Sequence, residues 1–403
     1  MSRTLPQHEY FKHRWRVPHT EWTLAGHSRA MERTGFFLPE IGVVLDAGVD
    51  LPLQSSLVGN GVRAILVSHG HIDHMNALPA LLRHYGDGAP PIHIMAPAPI
   101  VHRLREFCQL SWACKVDADE ELPAEYAPPP DEDAHASPGS MLQQGLQTWR
   151  PVEGGMKLQV AVGKKAATTL EVHTTQLWHR STAIGYVLGE PARSTHKFRR
   201  ELIGTDKRVT AANVKAAQAR GEPVYEEVQQ EARLLLAFVT DTTIQALAHD
   251  RAIDGPILRC STIMIECTYL EQSLSAEAER RGHITWHGLR PHALAQRAAD
   301  RPTTWVLIHF SLRYSDEDIC GFFRDPLRSG IVLESTDLEG VRPPDLVLWL
   351  DSGVVPLWVA AFGLDADAAP SSSGAAAGHQ GTAGGEHAAA AGAAEACEPC
   401  EPL

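Results

Sequence analysis

Residues Ile65–Leu78 read I-L-V-S-H-G-H-I-D-H-M-N-A-L and hold His69, His71, Asp73 and His74 within a single short stretch. An apolar run, Ala64–Val67, leads in, and a helix-compatible run, Asn76–Tyr85, leads out. Strand, ligand loop and helix in succession hold metal ligands on a rigid edge. Neutral imidazoles and carboxylates suit zinc and similar divalent ions. Alternate positions of an extended segment point the same way, so His69, His71 and Asp73 are expected to converge, with His74 reaching a neighbouring position. The chain has 21 His, so scattered pairs are expected. A strand-terminal H-x-H-x-D-H is far more specific than such pairs.

Further ligands stand at other strand ends. L-W-H-R-S-T-A-I-G-Y places His179 just before a strand, L-L-L-A-F-V-T-D-T-T places Asp241 after one, and W-V-L-I-H-F-S-L-R-Y places His309 after another. Alone, each is more often a cap or turn residue than a ligand. Together with the first cluster they supply enough groups for two adjacent metal ions.

The chain has 403 residues, is 44% hydrophobic and carries a formal net charge of −13. That length suits one large α/β domain or two smaller ones. No run of about 18 apolar residues occurs, so no membrane span is expected. Met1–Val17 is polar and lacks an apolar signal core, so a soluble intracellular protein is the expectation, cytoplasmic or nuclear, with an organelle as the alternative. The cysteines are 7 in number and scattered, which argues against a disulfide framework. Cys397 and Cys400 form a C-x-x-C without a second pair, in a low-complexity tail.

Residues 1–40 read as an irregular lead-in. Strands are expected at Ile41–Ala47, Ala64–Ser68, Ile92–Met95, Met156–Val162, Thr168–Thr174, Ala183–Leu188, Leu234–Val239, Thr262–Ile265, Thr304–Ile308 and Leu346–Leu350. Helices are expected at Pro99–Leu110, Val209–Arg220, Leu274–Arg281, Leu289–Ala299 and Asp316–Phe323. Residues 115–150 change to an acidic, then Ala/Ser/Gly/Gln-rich composition and read as an exposed insertion. This alternation predicts a layered α/β fold. The expected organisation is one hydrolase domain over 1–362, carrying the acidic insertion and a basic segment near 190–233. An Ala/Gly-rich tail over 363–403 lacks the large apolar residues that ordering requires.

The order H-x-H-x-D-H, later His, later Asp, later His resembles the metallo-β-lactamase superfamily. M-I-E-C-T-Y (264–269), G-H-I-T-W-H (282–287) and I-H-F-S-L-R-Y (308–314) narrow this to a resemblance to the tRNA 3′-processing endonucleases, the ribonuclease Z family in its short plant-type form, across roughly residues 24–330. The resemblance implies a metallo-β-lactamase αβ/βα four-layer sandwich with a dinuclear site on one edge; His/Asp chemistry makes zinc the first candidate for its two divalent ions, with manganese and magnesium as alternatives. It implies that His69, His71 and His179 hold one ion and that Asp73, His74 and His309 hold the other. Asp241 would bridge them, with Asp73 close to the attacking water. It further implies a catalytic pair, Glu266 and His283, that protonates the leaving group. Asp46 would accept a hydrogen bond from a ligand imidazole or cap a turn. The expected partner is precursor tRNA, and the expected assembly is a homodimer.

The chemistry stands beside the resemblance. Two metals about 3.5–4 Å apart can activate water and clamp an in-line phosphate displacement. A carboxylate-oriented histidine can protonate the departing ribose 3′-oxygen. Glu266 ends an apolar strand and can orient His283; His287 competes for that role, and the resemblance, whose pattern includes the G-H pairing, favours His283. Arg193–Arg220 carries eight basic and two acidic residues, an excess of six. Its Lys197, Arg199, Arg200, Lys207 and Arg208 are candidates for RNA phosphates, or form a solvated charged helix. The resemblance implies a Gly/Pro-rich arm that grips the tRNA elbow, and this segment lacks a strong signature of one. The same ligands would also serve a hydrolase of small phosphodiesters or thioesters.

Overall fold

The computed structural model describes residues 13–48, 61–83, 91–113, 142–144, 147–163, 168–298, 303–334 and 342–362. The expected acidic stretch at 117–133, the tail, and the C-x-x-C pair lie outside the described residues.

Two eight-stranded sheets organise these residues. The first runs, neighbour by neighbour, through β1 (Arg14–Arg16), β2 (Thr23–Arg29), β3 (Arg33–Leu38), β4 (Val43–Leu45), β5 (Ala64–Leu66), β6 (Ile92–Pro97), β8 (Gln147–Val152) and β7 (Leu142–Gln144). Strands β4, β5, β6 and β8 are mutually parallel. The second runs β19 (Val354–Leu357), β18 (Leu346–Trp349), β16 (Thr304–Ile308), β15 (Thr262–Glu266), β14 (Arg233–Val239), β11 (Ala183–Glu190), β10 (Thr168–Leu177) and β9 (Lys157–Val162). Its parallel block is β14, β15, β16 and β18.

Side-chain alternation assigns the layers, because successive strand residues face opposite sides. Phe36, Leu66, Phe238, Met264, Val306, Ile308 and Trp349 share one core that joins both sheets. Their neighbours face the other way. Phe37, Ile65 and Ile94 pack on helices α2 (Leu78–Arg83) and α3 (Ala98–Ala113). Val239, Ile265 and Leu307 pack on α5 (Gln245–Ala252), α7 (Trp286–Ala298) and α8 (Asp316–Arg324). The result is helix, sheet, sheet, helix: the expected four-layer sandwich.

Three expectations need correction. Residues 13–40 are not an irregular lead-in but three strands of the first sheet. Their signal is weak because β2 and β3 are buried on both faces, and Gly26 and Gly35 break the alternation. Gly26 is required there: a Cβ would lie 2.2 Å from the Gly35 carbonyl oxygen. The insertion expected to reach residue 150 ends earlier, since β7 and β8 occupy 142–144 and 147–152. The ligand cluster is not extended as far as Asp73. After His71 the chain turns into α1 (Ile72–Met75), which carries Asp73 and His74 on adjacent helical positions.

The basic segment is a built element rather than a plain helix. β12 (Arg193–Phe198) and β13 (Tyr225–Gln230) form an antiparallel ribbon that is its own two-stranded sheet. Between them lies α4 (Lys207–Ala219), whose N-cap Asp206 accepts from the amides of Arg208 and Val209. Two helices, α6 (Ser275–Arg281) and α9 (Pro326–Ser329), and a second small sheet of β17 (Ile331–Leu333) and β20 (Val359–Phe362) complete the elements. Among the described residues no helix is long and apolar enough to cross a membrane.

Candidate metal centre

The C-terminal ends of the parallel strands in both sheets supply the site. Asp46 follows β4, His69 follows β5, Asp241 follows β14, Glu266 ends β15 and His309 follows β16. His179 follows the antiparallel β10. Asp46 and His309 hold left-handed backbone, with φ of +56° and +62°. Such strain in non-glycine residues persists where surrounding structure over-determines it, as at functional sites.

All seven predicted ligands converge. Ligand atoms of His69, His71, His179 and Asp241 lie within 4.8 Å of one another, as do those of Asp73, His74 and His309. Asp241 lies between the groups. Its Oδ2 is 3.6 Å from His69 Nε2 and 3.8 Å from His179 Nε2, while its Oδ1 is 3.4 Å from His74 Nε2 and 3.2 Å from His309 Nε2.

The donor set fits divalent ions. His74 Nε2, His309 Nε2 and Asp241 Oδ1 are buried and satisfy no hydrogen bond. Unmet polar atoms of this kind are costly unless something coordinates them. The opposite ring nitrogens are engaged. His74 Nδ1 donates to Asp46 Oδ2 at 2.7 Å and His179 Nδ1 to the Gly282 carbonyl at 2.9 Å. His69 Nδ1 lies 2.9 Å from Ser68 Oγ, and His309 Nδ1 lies 3.1 Å from Thr268 Oγ1. Holding one nitrogen fixes the tautomer and aims the other at a metal. The buried Asp46 carboxylate also accepts from Ser68 N and Ser68 Oγ, at 2.6 and 2.7 Å. Of its two expected roles it takes the imidazole-orienting one.

Electrostatics follow from crowding. Burial, and then repulsion from His74, hold His69 well below the usual imidazole range. Burial alone would raise Asp241, but the imidazoles of His309, His74 and His69 hold its carboxyl well below the carboxylate range.

Glu266 and His283 meet as expected. His283 Nδ1 is 3.1 Å from Glu266 Oε1, and Glu266 is fully buried. Glu266 also accepts from the amides of Thr242 (2.6 Å) and Ile284 (3.2 Å) and from Thr268 Oγ1 (2.5 Å). Burial works against a charged His283, but the Glu266 charge and hydrogen bond outweigh it and push the imidazole up to about 9. His283, and not His287, lines the cavity above the ligands. This cavity of about 700 Å³ is also lined by Arg180, Arg281, Arg313 and Tyr269. Arg313 lies over the Tyr269 ring at 4.8 Å, and Glu277 holds both Arg313 (3.3 Å) and Arg281 (3.1 Å).

Sequence reading did not assign the roles of three participants. Thr268 links Glu266 to His309, and only its place in E-C-T-Y marked it. Gly282 has φ of +80°, and a Cβ there would lie 2.7 Å from His179 Nδ1. The G-H pairing is therefore a contact requirement. The Met31 amide donates to Asp73 Oδ2 at 3.1 Å, a backbone contact with no side-chain signature.

Of the five candidate RNA-binding residues, Lys197 lies on the ribbon, Arg199 and Arg200 on a 3-10 turn that follows it, and Lys207 and Arg208 on α4; they are not equivalent. Arg199 is committed to Glu201 at 2.6 Å. Lys197, Arg200, Lys207 and Arg208 show no ion pair among the described residues. The local positive excess also shrinks once the whole element is counted. Residues 193–231 hold eight basic residues against six acidic ones, Glu201, Asp206, Glu222, Glu226, Glu227 and Glu231, leaving two.

Residues 39–109 match the metallo-β-lactamase superfamily, a stretch that carries Asp46 and the H-x-H-x-D-H cluster. Together with the two packed sheets, this makes the chain a protein of the metallo-β-lactamase fold. A ribonuclease Z from Bradyrhizobium sp. (strain ORS 278) is 27% identical over 286 residues, covering 69% of this chain and 82% of that protein. Among solved structures, the metallo-β-lactamase fold protein YhfI from Bacillus subtilis aligns with TM-score 0.42 and 11% identity, over 73% of this chain and 88% of that one. The short form of human tRNase Z aligns with TM-score 0.41 and 15% identity, over 71% of this chain and 92% of that one.

Proposed function

We propose that the chain is a metal-dependent endoribonuclease that removes the 3′ trailer from precursor tRNA. The observation that carries this reading is the Glu266–His283 pair, 3.1 Å apart, whose histidine lines the same cavity as the ligand groups. A plain hydrolase of activated small substrates has no need of that pair. Similarity to the Bradyrhizobium ribonuclease Z supports the same reading.

In this reading His69, His71 and His179 would hold one ion and Asp73, His74 and His309 the second, with Asp241 available to both. The His/Asp donor set makes zinc the first candidate. Bound there, two such ions would supply Lewis acidity toward phosphate oxygens and activate water at neutral pH. The chain's own residues do the rest. RNA cleavage releases a ribose 3′-oxygen that needs a proton. His283, kept charged by Glu266, carries that proton at neutral pH, and Asp73 would act on the side of the incoming water. Arg180, Arg281 and Arg313 at the cavity suit an anionic substrate. Lys197 on the ribbon, Arg200 on the turn after it, and Lys207 and Arg208 on α4 would contact tRNA phosphates away from the cleavage site. The expected domain spans residues 1–362, and the expected assembly is a homodimer.

Single-turnover cleavage of a precursor tRNA bearing a 3′ trailer, with end mapping, tests the proposal. Cleavage at one position next to the mature 3′ end is expected, with metal analysis finding about two ions per chain. Hydrolysis of a simple phosphodiester or thioester, with no trailer removal, would replace the proposal with the small-substrate reading.

A further inference from the structure

We infer that Arg29 and Asp351, neither of which is among the ligands, are positioning residues for the ion held by Asp73, His74 and His309. The inference rests on the two-metal reading above.

Asp73 and His309 belong to different sheets, yet their groups must meet within a few ångströms. The β2–β3 turn joins them. At this turn the Met31 amide donates to Asp73 Oδ2 (3.1 Å), and the Ala30 amide donates to the Phe310 carbonyl (3.2 Å). Phe310 directly follows His309. One turn therefore touches the aspartate ligand on one side and the histidine loop on the other.

Met31 does not hold this geometry by itself. Its φ is +63°, costly for a residue with a side chain, and that side chain is 80% exposed. The restraint comes from Arg29, the last residue of β2, which is 4% exposed. Its guanidinium donates to the Tyr314 carbonyl, at the far end of the loop that starts at His309. Its Nε and Nη1 make no hydrogen bond, so the charge of Asp351, 3.6 Å from Nε, is what balances it. Asp351 Oδ1 lies 3.2 Å from His27 Nε2. The Asp351 turn is itself fixed, since Asp316 accepts from the amides of Asp351 (3.3 Å) and Ser352 (2.7 Å). A buried guanidinium that loses its counter-charge is strongly destabilised where it stands. Arg29 would then move, releasing the turn and the 310–314 loop together. The other ion's ligands, His69, His71 and His179, make no contact with this turn in the described hydrogen bonds.

Zinc titration against a competing chromophoric chelator, on the full chain, tests the inference. Arg29→Met keeps length and removes the charge; Asp351→Asn changes a half-exposed group and spares folding if Arg29→Met does not. Each should bind the first zinc as the unmodified chain does and the second about ten- to hundredfold more weakly, the range seen when groups that orient ligands are lost. In trailer cleavage kcat should fall while KM stays within about twofold, and Asp351→Glu should restore both. Equal affinity for the second zinc in both variants would overturn the inference while leaving the two-metal reading intact. An unmodified chain that takes fewer than two ions would overturn the two-metal reading and this inference with it.

Discussion

A methyl group placed on Gly282 would lie 2.7 Å from His179 Nδ1, and φ at that position is +80°. Gly282→Ala therefore meets both strain, about 1–3 kcal/mol for such backbone, and displacement of a ligand. Thermal unfolding with and without zinc should show a lower midpoint and a smaller zinc-induced rise. An unchanged rise would mean that His179 does not hold the ion. His283→Ala should slow single-turnover cleavage by about 10²–10⁴-fold with metal content intact, and His287→Ala should not. The pH response separates the proton donor from its orienting partner. His283 stands up to about 9 because Glu266 charges it. The cleavage rate should hold through neutral pH and fall as pH rises through that value. Glu266→Gln removes the raising influence, so its alkaline limb should appear at lower pH. A limb that does not move would detach Glu266 from the proton transfer.

The ribbon of β12 and β13 and its helix α4 carry the prediction at the scale of elements. Charge reversal at Arg200, Lys207 and Arg208 should weaken precursor binding strongly at low salt and little at high salt, because phosphate contacts release counterions. Reversal at Arg199 should matter less for binding, since that side chain already faces Glu201 and Glu222. A filter-binding salt series checks both, and a flat response would remove the RNA-facing role. Elements differed in how readable they were. β5, β14, β15 and β16 are continuous apolar runs closed by a chemically distinctive residue, so strand and ligand were legible together. β2 and β3 were not, because burial on both faces erases alternation and two glycines imitate a loop. β12 and β13 were not, because Lys, Glu, Arg and Gln on an exposed ribbon give no apolar period to read. Contacts such as the Met31 amide to Asp73 leave no trace in residue identity at all.

At the scale of the molecule, the ligands are divided between the two sheets. His69, His71, Asp73 and His74 come from the first, and His179, Asp241 and His309 come from the second. Bound metal would then bridge the two sheets, and anything that binds only the folded state raises its stability. Chelation should lower the unfolding midpoint, and readdition of zinc should restore it along with cleavage. Equal midpoints would show that the sheets hold together without help from the site. The core between them is apolar and continuous, so Phe36→Ala, which removes a ring packed against Phe238 and Trp349, should cost about 3–5 kcal/mol by denaturant unfolding.

The path of the chain around the ribbon has one more consequence. β11 and β14 are antiparallel neighbours, and Glu190 and Arg233, where the ribbon leaves and returns, face each other in that pairing. Everything between them is an excursion from what would otherwise be an ordinary hairpin. Such a segment can be exchanged as a cassette, grafted or shortened to a tight turn, without rerouting any strand that delivers a ligand. Under the proposed function, choice of substrate and bond-breaking chemistry would thus be wired separately in this chain, and one could be re-engineered while the other is left alone.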